Sequence, residues 1–118
     1  MKIKLPDDIQ IFIACGKTDM RKSIDGLAAI VSQNFKLDPF ANALFLFCGG
    51  KRDRIKALIW EGDGFLLLYK RLENGAFQWP RTSEDVREIT PQQFRWLIEG
   101  LTIDQKKVIQ KVENKMII

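Results

Sequence analysis

The chain has 118 residues, is 46% hydrophobic and 29% charged, and carries a formal net charge of +4 with no histidine. A chain of this length predicts one domain with its own core, and the composition excludes histidine-based acid–base catalysis. Its apolar runs are too short for a membrane helix, and "MKIKLPDDIQ" lacks the apolar region of a signal peptide. A cytoplasmic protein with no membrane partner is therefore expected.

"IQIFIAC" (Ile9 to Cys15) reads as a strand, with Ile9, Ile11 and Ile13 on one face and Phe12 on the other. A turn at Gly16-Lys17 leads into "TDMRKSIDG", which reads as a helix start. Thr18 is the expected cap and Asp19 suits the first turn. The helix is predicted over 18–34, with Met20, Ile24, Leu27, Ala28 and Val31 as its apolar stripe. Arg21 and Lys22 then stand where the helix dipole disfavours cations. Either they strengthen an anion site at the helix terminus, or Asp25 pairs with one of them. Gly26, inside the helix, points to close packing of another backbone.

"LDPF" is a turn, and "LFLF" (Leu44 to Phe47) has the continuous apolar pattern of a strand buried on both faces. "CGGKRDR" follows as a basic loop. Hairpin signals at Gly62-Asp63 (or Asp63-Gly64) and Asn74-Gly75 predict a three-stranded meander near 54–61, 65–73 and 76–79, ended by Pro80. "RTSEDVREI" reads as loop and then a short strand. "TPQQFRWLIEG" predicts a helix over 91–99, with Thr90 and Gln93 as a capping box, Pro91 at the first position and Gly100 as the stop. Residues 104–118 hold four lysines against two acids and read as an amphipathic helix or a loose tail.

Both choices for the first hairpin turn leave the same residues on the same face. One face carries Trp60, Leu58, Phe65 and Leu67 near the turn, and Lys56, Arg54, Tyr69 and Arg71 at the other end. The opposite face carries Ile55, Ala57, Ile59, Leu66, Leu68 and Leu72, joined by Phe77 and Trp79; being apolar, it is expected to cover the 18–34 helix. Like charges across a ladder are destabilising, so cations beside an aromatic point to an anionic partner. Lys51 and Arg52 in the preceding loop extend this patch.

Signals for chemistry are weak. Cys15 and Cys48 end apolar segments and read as buried free thiols. "CGGKRD" lacks the earlier glycine and the following Ser or Thr of a P-loop. Asp19, Asp25, Asp53, Glu61 and Asp63 would hold a metal only if folding gathered them. No cofactor, metal or catalytic residue is expected.

In order along the chain, "TDMRKSIDGLA", "DPF", "LFLF", "KRDRIKALIWEGDGFLLLYKRLENGAFQWP" and "LIEG" are similar to the small accessory protein (TnpB, or second-open-reading-frame product) of the insertion-sequence-sixty-six family of bacterial transposable elements. The resemblance covers about residues 9–101. It implies a non-enzymatic role in DNA transposition and recombination beside a separate, large transposase, with DNA or that transposase as partner. The family commonly has Gly-Phe at Ser23-Ile24, more basic residues at Cys48-Gly49-Gly50, and an aromatic at Leu66. Among the matched positions, folding alone does not require Arg21, Lys22, Arg54, Lys56, Tyr69, Lys70 or Arg71. Lys70 is set apart by alternation, which puts it on the other face.

The expected molecule is an α+β domain over 1–103 with a lysine-rich tail over 104–118. Its antiparallel sheet of about four or five strands packs on the 18–34 helix, and a second short helix closes it. The expected nucleic-acid-binding set is Arg21, Lys22, Lys51, Arg52, Arg54, Lys56, Tyr69, Lys70 and Arg71. The alternative is an interaction module whose basic face docks the transposase without contacting DNA.

Overall fold

The computed structural model describes residues 4–105 and 109; most of the predicted tail, residues 106–108 and 110–118, lies outside them. Five strands form one open sheet: β1 (Gln10–Ala14), β2 (Ala43–Cys48), β3 (Arg54–Trp60), β4 (Phe65–Arg71) and β5 (Val86–Ile89). Their order across the sheet is β4-β3-β2-β1-β5. The fold is α+β as expected, with one difference in pairing. β1 and β2 run parallel, while the other three pairs are antiparallel. A parallel pair needs a crossover, and residues 15–42 supply it.

β2 is buried along its whole length, as "LFLF" requires. Leu44, Leu46 and Cys48 face one core; Ala43, Phe45 and Phe47 face another. Each core has its own helix. α1 (Ile24–Ala29), continued by a wider π-helical turn over Ile30–Asn34, places Leu27 and Val31 on Phe45, Phe47 and Leu58. α2 (Pro91–Ile98) places Phe94 and Leu97 on the opposite face, with Ile11, Ile13, Ile55 and Ala57.

α2 follows its local grammar. The Thr90 hydroxyl accepts from the Gln93 N–H at 3.1 Å, and the Gln93 side chain accepts from the Thr90 N–H at 2.8 Å. Gly100 ends it at φ 87°, a conformation that costs glycine little.

Four expectations about this part of the chain are corrected. The 18–34 helix begins at Ile24, with Ser23 at its N-cap making no side-chain cap bond. The Thr18 N–H is already used by the Cys48 carbonyl at 2.8 Å, and the Asp19 carboxylate accepts the Arg21 N–H at 2.9 Å. These bonds hold residues 18–22 in a turn that competes with helix. The helix also lies on the other sheet face. It covers Leu58, Phe65 and Leu67, the face that carries Arg54 and Lys56. The reason is that Phe77 and Trp79 fill the opposite face and leave room there for α2. At Gly26 the close neighbour is the Lys22 side chain, 3.3 Å from a built Cβ, and not another backbone.

The fourth correction concerns the meander, whose third strand at 76–79 does not form. Beyond β4 the chain crosses under the sheet. The Leu72 N–H bonds the Asp53 carbonyl and the Phe77 N–H bonds the Arg52 carbonyl, both at 2.7 Å. Phe77 and Trp79 are buried at 1% and 4% exposure. The Trp79 indole N–H donates to the Ala14 carbonyl at 2.8 Å, on β1. Burying two large aromatics outweighs a hairpin strand at a solvated edge. The strand that follows is β5, at the far edge beside β1.

The first hairpin has the Gly62-Asp63 register: Trp60 opposite Phe65, Leu58 opposite Leu67, Lys56 opposite Tyr69 and Arg54 opposite Arg71. The Glu61 N–H bonds the Gly64 carbonyl at 2.9 Å, and Gly62 sits at φ 88°. That left-handed position asks for glycine at the start of a two-residue loop.

Candidate nucleic-acid interface

The strand directions bring three connections to one end of the sheet: residues 15–23, 49–53 and 72–85. Backbone bonds knit them together. Thr18 donates to Cys48, Gly16 to Pro80, Cys15 to Asp85, and Gly49 to Arg54. Arg52 takes the left-handed conformation at φ 60°, and this turns its carbonyl toward the Phe77 N–H.

Charge is divided between the two ends. Residues 15–23, 49–56 and 70–85 hold ten cations and five acids. The remaining described residues hold four cations and nine acids. At the opposite end lie Asp7 and Asp8 before β1, Asp38 before β2, and Glu61 and Asp63 in the β3–β4 turn. A modest net charge therefore conceals a strongly dipolar molecule, which raises the local field at the loop end.

Most of the expected residues meet here. Lys56 on β3 lies beside Tyr69 on β4, its Nζ 5.6 Å from the ring centroid. The same Nζ donates to the Lys22 carbonyl at 2.7 Å, which ties the 18–22 turn to the sheet. Arg54 and Arg71 stand directly across the ladder, a like-charge pairing that each partly offsets with its own acid. Arg71 reaches Glu73 at 3.1 Å. Arg54 Nε lies 3.7 Å from Asp53 Oδ1, an ionic contact beyond hydrogen-bond reach, and both atoms are shielded from solvent without a hydrogen-bond partner. Lys51 and Arg52 are exposed on the loop. Lys70 pairs with Ile55 on the other sheet face, away from the group.

Arg21 is joined to Asp19 by a two-pronged pair, with Nη2 to Oδ2 at 2.8 Å and Nε to Oδ1 at 3.0 Å. The Arg21 guanidinium holds the Asp19 carboxyl well below the usual carboxylate range. Any stability from that shift is present above the ordinary carboxylate pKa and lost as acid protonates the folded group. An exposed pair contributes little. Asp25 takes no part in the pair, and a six-residue helix provides no N-terminal anion site here. Arg21 and Lys22 belong instead to the turn that borders the loop end.

Two cations were not legible as site residues. Lys17 passes over the glycine loop, its Cδ 3.7 Å from a Cβ built on Gly50. Arg81 Nη2 donates to the Gly50 carbonyl at 3.4 Å. Beside this loop is a cleft of about 430 Å³ that Lys17, Lys51 and Arg54 help to line, together with Asp19, Met20, Gly49 and Asp53. Only closeness to Gly50 in space marks the two cations, since Lys17 lies far before it in sequence and Arg81 far after it.

Cys48 lies at the floor of this end and is fully buried. Burial pushes its thiol up to about 11 from an ordinary 9.0. The stability its burial provides is thus fully present below about pH 9 and is lost as pH rises toward 11. Cys48 should stay unmodified by iodoacetamide at about pH 8 in the folded protein and react once urea unfolds it. Peptide mass analysis checks this, and rapid native labelling at Cys48 would contradict the burial.

Among the described residues, no cluster of three or more metal-ligating side chains occurs and no helix is long and apolar enough to cross a membrane. The arrangement offers grouped cations and an exposed tyrosine, which suit binding of an anionic chain.

Residues 9–108 match the family model described as IS66 Orf2-like protein. Two curated relatives come from Sinorhizobium fredii. The uncharacterized protein y4hO is 35% identical over 94 residues, 80% of this chain and 82% of that one. The uncharacterized protein y4jC is 31% identical over 93 residues, 79% of this chain and 80% of that one. No solved structure matches the chain.

Proposed function

The chain belongs to the IS66 Orf2-like family, a family of insertion-sequence accessory proteins, and from that premise we propose that it is a non-enzymatic factor for transposition that binds DNA phosphates with its cationic loop end. The observation that carries this reading is the segregation of charge, ten cations against five acids at one end of the sheet. Arg54 and Arg71 support it further. Facing like charges cost stability, so folding alone favours replacing one of them. Lys17, Lys22, Lys51 and Arg52 carry no ion pair among the described residues, and this leaves them available to phosphate. Lys56 and Tyr69 form a half-open platform beside them. Lys70, one of those ten, lies on the other sheet face and plays no part in this surface, which leaves nine cations there.

The test is fluorescence anisotropy with duplex and single-stranded DNA, a transposon-end sequence and a scrambled control, over roughly 50–200 mM salt. Affinity should fall steeply with salt. Arg54→Ala with Arg71→Ala should weaken binding to all sequences alike. It should also flatten the logarithmic salt slope by about 0.9 for each phosphate that is no longer neutralised. Lys17→Ala with Lys51→Ala should do the same. The melting temperature of the Arg71→Ala protein should be unchanged or slightly raised, because the facing charge is gone. Unaltered binding in both double variants would remove the loop end as the DNA site. Absence of binding at low salt would direct the same residues to an acidic surface of the transposase, with nuclease-resistant co-purification as the readout.

A further inference from the structure

β4 is an unprotected edge. Among the described residues it pairs with β3 alone, without proline or bulge, and its first five residues, "FLLLY", carry no charge; Lys70 and Arg71 follow at its basic end. Leu66 and Tyr69 are exposed at 37% and 53%. Such an edge recruits another strand unless something covers it. The hairpin geometry shows which groups are free. Glu61 and Gly64 form a hydrogen-bonded pair, so alternate residues Leu66, Leu68 and Lys70 turn their backbone groups toward β3. Phe65, Leu67, Tyr69 and Arg71 turn theirs outward.

We infer that a second copy of this chain covers the edge, β4 against β4 in antiparallel sense about a two-fold axis at Leu67. The charge pattern selects both partner and register. Asp63 precedes the strand at the acidic end and Arg71 closes it at the basic end. With Leu67 opposite its own copy, Phe65 faces Tyr69, Leu66 faces Leu68 and Gly64 faces Lys70, which brings Arg71 beside the partner copy's β3–β4 turn with Glu61 and Asp63. Apolar meets apolar, and opposite charges meet at both ends. A slip by two residues would set Arg71 against Phe65 and Lys70 against Leu66. The chosen register forms about six backbone hydrogen bonds. It joins the two sheets into one and is self-complementary, as a two-fold interface must be. The cationic ends then point in opposite directions along the strands.

Sedimentation equilibrium on the full chain tests this without reference to DNA. The expected mass is twice that of one chain. Leu67→Pro removes an N–H that β3 does not use, so the fold should survive by circular dichroism while the dimer dissociates. Asp63→Arg should weaken the dimer about tenfold by setting two cations together, and adding Arg71→Asp should restore it. A wild-type monomer at about 100 μM would overturn the inference. So would a Leu67→Pro dimer as tight as wild type, or a charge swap that fails to restore association. If Leu67→Pro does not fold, the charge-swap pair decides.

Discussion

Trp79→Ala is expected to cost about 3–5 kcal/mol, enough to unfold a large share of a marginally stable domain. Two effects combine. The side chain is 4% exposed and packs in the core between the sheet and α2, so its removal leaves a cavity. Its N–H also satisfies the Ala14 carbonyl, a buried acceptor at the end of β1. Truncation orphans that acceptor, and an unpaired buried polar group costs about 1–3 kcal/mol. Trp79→Phe goes far to separate the terms: it keeps most of the packing and loses the bond together with one ring of the indole. Urea denaturation of the two variants should therefore show a large loss for alanine and about 1–3 kcal/mol for phenylalanine. Equal losses would place the whole effect in the indole itself, its bond and its second ring, and none in the cavity. Because Trp79 also anchors residues 72–85, the alanine variant should loosen Arg81 from Gly50 and weaken any binding at the loop end.

Gly49→Ala is expected to destabilise by about 1–3 kcal/mol, through overpacking rather than through backbone strain. A Cβ there would stand 2.8 Å from Met20 Cγ. That atom belongs to the middle of the Met20 side chain, so the whole residue must move. Met20 packs against the α1-side core and sits within the 18–22 turn, which positions Arg21 and Lys22. The variant should thus shift that turn as well as lower stability. Met20→Ala should cost stability by itself, yet relieve the clash when combined with Gly49→Ala. The double variant should be more stable than the two single losses predict by addition, and the coupling is read from a denaturation cycle. Additive losses would mean that the loop relaxes without touching Met20.

Local patterns were legible where local physics decides them. "LFLF" announces a strand buried on both faces because no polar residue interrupts it. The Thr90–Gln93 box and Pro91 announce α2 because capping needs only a few neighbouring residues. Gly62-Asp63 was one of two admissible turns, and the face assignment survives either because side chains alternate along a strand. Thr18 shows the limit. It has a cap's chemistry, but its N–H is taken by Cys48 on another strand, and helix starts only at Ile24. Phe77 and Trp79 were legible as core residues, yet nothing local says that they cross beneath the sheet.

Apart from the motifs that carry the family resemblance, the sequence by itself determined the strand alternation, the start of α2, and the cations of β3, β4 and the glycine loop. Those properties rest on residue spacing and on contacts within a few positions. Only the tertiary structure decided that β1 and β2 run parallel, that α1 covers the face bearing Arg54 and Lys56, and that Lys17 and Arg81 join Lys51 beside Gly50. These are choices between surfaces of similar hydrophobicity, and burial of the large aromatics settles them. Phe77 and Trp79 claim one face of the sheet together with α2, α1 takes the other, and the charged loops are left together at one end.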